Sequence, residues 1–78
     1  MVNILIDPEK LFREAINMFK LKIGSNEDFR FIYNNKELLP DLKISQSGLN
    51  NGSKIFVIPF NNLYIHLNQY FILIILHQ

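Results

Sequence analysis

The chain has 78 residues, 49% of them hydrophobic, including seven Phe and three Tyr but no Cys, and a formal net charge of +1. A chain this short makes one domain, buries only about 60% of its unfolded surface and leaves little room for a pocket. Its balanced charge gives no electrostatic footprint for nucleic acid, and the lack of Cys excludes both a disulfide framework and a thiolate metal site.

Val2-Asn3-Ile4-Leu5-Ile6 is rich in β-branched residues and stops at Asp7-Pro8, which predicts a strand running into a helix start. Asp7 can accept from free first-turn amides, and Pro8 at the first helical position loses only a donor that would be unpaired there. The helix is expected from Pro8 to about Lys22. Leu11, Phe12, Ala15, Ile16, Phe19 and Ile23 recur at three- and four-residue spacing as one apolar stripe, and Gly24 supplies a left-handed cap.

Phe29-Arg30-Phe31-Ile32-Tyr33 has the make-up of a second strand. Asn34-Asn35 can take positive φ, so the chain is expected to reverse and return through Lys36-Glu37-Leu38-Leu39 to Pro40. Residues 41–53 read as an irregular loop with Ile44 and Leu49 pointing inward and Gly48, Asn50, Asn51 and Gly52 setting turns. Lys54 to Ile58 closes the unit as a strand, with pairing weakened at Pro59.

This order of elements, with Ile32-Tyr33-Asn34-Asn35-Lys36-Glu37-Leu38, the run from Gly48 to Val57 and the Asp7-Pro8 helix start, resembles ubiquitin-like domains. The resemblance implies an α+β fold of the β-grasp type over residues 1–60, a mixed sheet with one packed helix, followed by an uncharged hydrophobic tail at 61–78. Side chains alternate across a sheet, so Phe31, Tyr33, Leu38, Ile44, Leu49, Ile55 and Val57 are expected under the helix. Ile32, Phe56 and Ile58 then face outward, where the family commonly binds partners, with Arg30 and Lys36 at the rim. Two departures stand out. The family's leading strand, central in its sheet, has no counterpart before Val2, which leaves the inner ladders of Val2–Ile6 and Lys54–Ile58 to be paired by something else. No Gly-Gly follows the last strand, so the resemblance does not extend to covalent conjugation.

All fifteen charged side chains lie between Asp7 and Lys54, and Tyr70 to Leu76 is a run of seven apolar residues. A bilayer span needs roughly 20 such residues, so a transmembrane anchor is not expected. The preferred reading is that the tail fills the missing seam. It does so either by turning at Asn61-Asn62 and again at Asn68-Gln69, with Leu63 to Leu67 as an intervening strand, or by crossing over to lay Phe71–Leu76 parallel to Lys54–Ile58. A helix on the open sheet face stays open as well, as does an aggregation-prone extension without selected function.

The polar residues do not assemble into chemistry. His66 and His77 lack the convergent partners a metal site needs. Ser45, Ser47 and Ser53 suit turn amides, and Glu27-Asp28 and Glu37…Asp41 have no walled site. Gly24, Gly48 and Gly52 are too dispersed for a phosphate loop. The expectation is a non-catalytic protein without cofactor or metal. Residues 1–10 carry Asp7, Pro8 and Glu9 where a secretion signal needs an apolar core, which points to the cytoplasm or nucleus. The expected function is noncovalent protein binding through Ile32, Phe56, Ile58, Arg30 and Lys36. Three alternatives remain: self-association through unpaired strands or the tail, attachment to a membrane surface, and a truncated fragment with no independent function.

Overall fold

The computed structural model describes residues 1–60 and 70–77. They form an α+β fold of one helix on a five-stranded mixed sheet: β1 (Val2–Ile6), α1 (Phe12–Ile23), β2 (Phe29–Tyr33), β3 (Lys36–Glu37), β4 (Lys54–Pro59) and β5 (Tyr70–Leu76), in the spatial order β1-β5-β4-β2-β3. A single 3₁₀ turn at Ile44–Gln46 interrupts the loop expected to be irregular, and its Ile44 is fully buried.

The last strand takes the seam. β5 runs parallel to β1, with Ile4 beside Ile74, and antiparallel to β4, with Ile55 beside Ile72. The parallel crossover against Lys54–Ile58 is therefore not what forms, and neither is a helix over Tyr70–Leu76. The intervening strand expected at Leu63 to Leu67 lies outside the described residues. A strand delivered by a leading hairpin would run antiparallel to β1, so β5 occupies the seam with the opposite sense.

The helix begins later than its sequence suggests. Asp7 caps no helix: its carboxylate accepts from the amide of Glu9 at 2.8 Å, and its carbonyl accepts from Lys10 at 3.0 Å, closing a tight turn over residues 7–10. Helical geometry starts at Phe12 because the loop supplies the missing acceptors. The Phe12 and Arg13 amides donate to the carbonyls of Leu42 and Pro40 at 2.8 and 3.0 Å, and Leu11 forms an isolated bridge with Lys43. Two exposed ion pairs, Arg13 with Asp41 and Lys43 with Glu9, span the same junction. At the other end Gly24 adopts φ 68° as the left-handed cap and donates to Leu21, while Ser25 donates to Lys20.

Between helix and sheet lies one core. Phe12, Ala15 and Phe19 from the helix meet Ile4, Ile6, Phe29, Phe31, Ile55, Val57, Ile72 and Ile74 from four strands, with Leu38, Ile44 and Leu49 closing the loop end. Tyr33, Ile16 and Ile23 are half-buried against it, whereas Leu11, expected in the stripe, is exposed because it precedes the first helical turn. Phe19 stands at the centre of the aromatic cluster, edge-on to Phe29, Phe31 and Tyr70 at centroid distances of 5.4, 5.9 and 5.6 Å. Such pairs add about 0.5–1.5 kcal/mol each beyond their buried area.

Both hairpin-forming Asn residues hold positive φ, 54° at Asn34 and 63° at Asn35, which matches the twist of the strands they join. The returning strand is shorter than expected, since Pro40 and the loop pull the chain away after Glu37, although the Leu38 amide still donates to Phe31 at 2.8 Å. At the far side β4 extends to Pro59, beside Phe29, and Phe60 donates to Asp28 at 3.1 Å.

Ile72 has no solvent exposure and sits in the central strand. Ile72→Ala should cost about 2–5 kcal/mol by urea denaturation, a large share of the roughly 4–12 kcal/mol expected for a chain of this size. A chain ending at Phe60 should lose its cooperative unfolding transition.

Candidate functional site

Alternation puts one set of side chains on the face opposite the helix. From β2 come Arg30 and Ile32, from β4 Lys54, Phe56 and Ile58, from β5 Phe71, Leu73 and Ile75, and from β1 Asn3 and Leu5. The registers align them in rows: Ile32 beside Phe56 beside Phe71, Lys54 beside Leu73 beside Asn3, Arg30 beside Ile58, and Ile75 beside Leu5. Seven of these ten are apolar. None is buried; Leu5 is half exposed and the other six apolar side chains are intermediate. Among the described residues the elements that pack on the sheet, α1 and the loop with Ile44, lie on the other face.

The centre of the patch is aromatic. Phe56 and Phe71 are directly opposed, their centroids 5.2 Å apart and their planes inclined by 32°. The ammonium of Lys54 lies 4.4 Å from the Phe71 centroid, a cation–π contact that sets a positive charge on the apolar surface. Lys54 is in none of the four ion pairs of the described residues. At the opposite border Arg30 donates to Glu37 Oε1 from a terminal guanidinium nitrogen at 3.1 Å, and its charge is offset there.

The structure thus brings together Ile32, Phe56, Ile58 and Arg30. It does not bring Lys36 to them by register: Lys36 lies beside Tyr33, and its neighbour Glu37 lies beside Ile32. Lys54 stands on the face where Lys36 was expected. Phe71, Leu73, Ile75 and Leu5 are additions that sequence reasoning missed. Tyr70–Leu76 is apolar at every position, so it carries no alternation from which an outward set can be read.

Two of the serines serve turns. Ser53 is buried; its hydroxyl donates to Tyr33 Oη at 3.2 Å and accepts the Asn50 amide at 2.8 Å, which makes it a turn staple. Ser47 donates to the Lys43 carbonyl at 2.8 Å. An open hollow of about 420 Å³ beside the β2–β3 turn is lined by Tyr33, Lys36, Glu37, Leu38 and Leu42 among others, and its carboxylate, Glu37, is paired with Arg30. Among the described residues no three His, Cys, Asp or Glu side chains converge, and no helix is long and apolar enough to cross a membrane. His66 lies outside the described residues, and His77 donates its amide to the Ile6 carbonyl at 3.1 Å.

Comparison with protein-family models, with curated proteins and with solved structures gives no match. The reading of the patch therefore depends on its own geometry.

If Phe56 and Phe71 touch as described, a double-mutant cycle with Phe56→Leu and Phe71→Leu should return a coupling of about 0.5–1.5 kcal/mol in urea titrations. Strictly additive losses would show that β5 does not lie beside β4 in this register.

Proposed function

We propose that the chain is a noncovalent protein-interaction module of the ubiquitin-like, β-grasp kind, which binds a protein partner through its outward sheet face. The observation that supports this reading is the contiguous apolar surface built from Ile32, Phe56, Ile58, Phe71, Leu73, Ile75 and Leu5 across four neighbouring strands. Isolated exposed apolar residues are ordinary, but a contiguous apolar sheet face marks an interaction site in a soluble domain. The order strand, helix, hairpin, loop, strand in residues 2–58 agrees with the resemblance, and β5 supplies the seam strand from the other end of the chain.

The chemistry of the partner follows from what the face lacks. Its centre offers aromatic and branched aliphatic side chains but no hydrogen-bonding group, so it suits an apolar stripe such as an amphipathic helix presents. Its cation, Lys54, sits beside that centre without a carboxylate, so an acidic group at the partner's margin completes the contact. Recognition of this type is non-catalytic: it works by desolvating the patch and pairing one charge.

A photo-reactive residue at position 58 should cross-link a discrete partner that the same probe at Asn17, on the helix, does not. With that partner purified, Ile32→Ser combined with Phe56→Ser should weaken binding at least about tenfold while the far-ultraviolet circular dichroism is retained, and Lys54→Glu should slow association. Unchanged affinity in the folded double variant would refute the assignment of this face.

A further inference from the structure

We propose that the outer edge of β1, which no described strand pairs, is a homodimer interface, in which two copies of Val2–Ile6 pair antiparallel about a two-fold axis at Ile4. The observation that carries it is a backbone one. The amide of His77 donates to the Ile6 carbonyl on the β5 side. Backbone groups alternate along a strand, so Val2, Ile4 and Ile6 bond inward to β5, while the N–H and C=O groups of Asn3 and Leu5 point away from the sheet. No described residue bonds to them.

The occupant that fits this edge is the edge itself. Antiparallel hydrogen-bonded pairs form between residues whose groups both face the seam. Setting Asn3 of one copy against Leu5 of the other satisfies this at both ends and makes four hydrogen bonds. The same register places Val2 opposite Ile6 and Ile4 opposite Ile4, so it uses the whole of β1 with no overhang. A one-residue slip would set inward-bonding residues against outward-facing ones. A two-residue slip that sets Leu5 opposite Leu5 would bring in Asp7, whose carbonyl already accepts from Lys10. The arrangement is isologous, as a two-fold interface must be.

Nothing in β1 opposes such pairing. Edge strands are ordinarily protected by Lys, Pro, a bulge or an inward charge; Val2-Asn3-Ile4-Leu5-Ile6 has none of these and no charge to repel a second copy. Beside the strand runs a groove of about 490 Å³ in which apolar Leu5, Ile6, Met18 and Leu21 are interspersed with charged Asp7, Lys10 and Glu14, and Leu21 is 82% exposed. Each helix therefore borders the groove with Met18 and Leu21 as apolar side chains for the partner copy to cover, and with Glu14 as a charge.

The test uses Leu5→Pro. Proline removes the outward N–H and keeps an extended φ, so it is tolerated where an edge strand's N–H faces solvent and leaves the β1–β5 ladder whole. Light scattering and sedimentation of the full chain should show a dimer that dissociates on dilution, with Leu5→Pro weakening it at least about tenfold. Leu5→Lys should do the same without altering the backbone, which keeps the test valid if the proline variant fails to fold. In the wild type the Asn3 and Leu5 amides should exchange slowly, and a mixed-label sample should show intermolecular contacts between Asn3 and Leu5. A chain that stays monomeric at about 1 mM overturns the proposal. So does a dimer unaffected by Leu5→Lys.

Discussion

Strand β5 closes the sheet, and the rest of the structure depends on its two ladders. Among the described strands β1 pairs only with β5, and β4 meets β1 only through it. Without β5 the sheet separates into a lone strand and a three-stranded ribbon, and the helix loses the continuous floor on which Phe12 and Phe19 pack. Each inner ladder would present unpaired N–H and C=O groups in the middle of an apolar layer, a cost the chain avoids only by supplying a strand there. Hydrophobic burial and hydrogen bonding are met by the same seven residues.

That strand poses a difficulty of its own. Register is normally held because a one-residue slip would turn apolar side chains out to water, yet Tyr70–Leu76 is apolar on both faces and gains little protection that way. The turn before β4 supplies the missing constraint. Gly52 donates to the Ile74 carbonyl at 2.8 Å, Ile74 donates back to Ser53 at 2.9 Å, and the Leu76 amide reaches Asn51 Oδ1 at 2.9 Å. Gly52 can take this course because its φ of 90° is open to glycine. At the other end Tyr70 packs edge-on against both Phe19 and Phe29, and Phe71 lies against Phe56. Polar turn contacts and ring shapes, not hydrophobic pattern, fix the strand in place.

Much of this was legible from the amino acids. The stripe Phe12, Ala15, Phe19, the Asn34-Asn35 reversal, the Gly24 cap and the inward set Phe31, Ile55 and Val57 are local or periodic signals, and the structure agrees with them. The outward positions of Ile32, Phe56 and Ile58 follow from the same alternation. What was not legible depended on distant partners. The helix start moved from Pro8 to Phe12 because carbonyls of Pro40 and Leu42, some thirty residues away in sequence, serve as its cap. The sense of β5 and the outward set Phe71, Leu73 and Ile75 were hidden because an all-apolar run has no phase. The resemblance implies Lys36 at the outer rim, whereas cross-strand register sets Glu37 beside Ile32 and Lys36 beside Tyr33.

The two surfaces proposed here are geometrically compatible. Pairing β1 edges about an axis perpendicular to the sheet turns neither sheet over, so both helices remain on one side and both apolar faces on the other. Leu5 of each copy then lies near the seam, and two patches become one surface of doubled extent with a Lys54 on either flank. A face-to-face dimer would instead consume the patch and put partner binding in competition with self-association. The proposed edge dimer would enlarge the proposed recognition surface while burying the unprotected strand, so a bivalent partner would gain affinity from effective concentration without any new contact. In the proposed dimer the β1 edge that would otherwise invite uncontrolled aggregation would be spent in a closed two-fold pair; the other outer edge among the described strands, β3, is two residues long and bears Lys36 and Glu37.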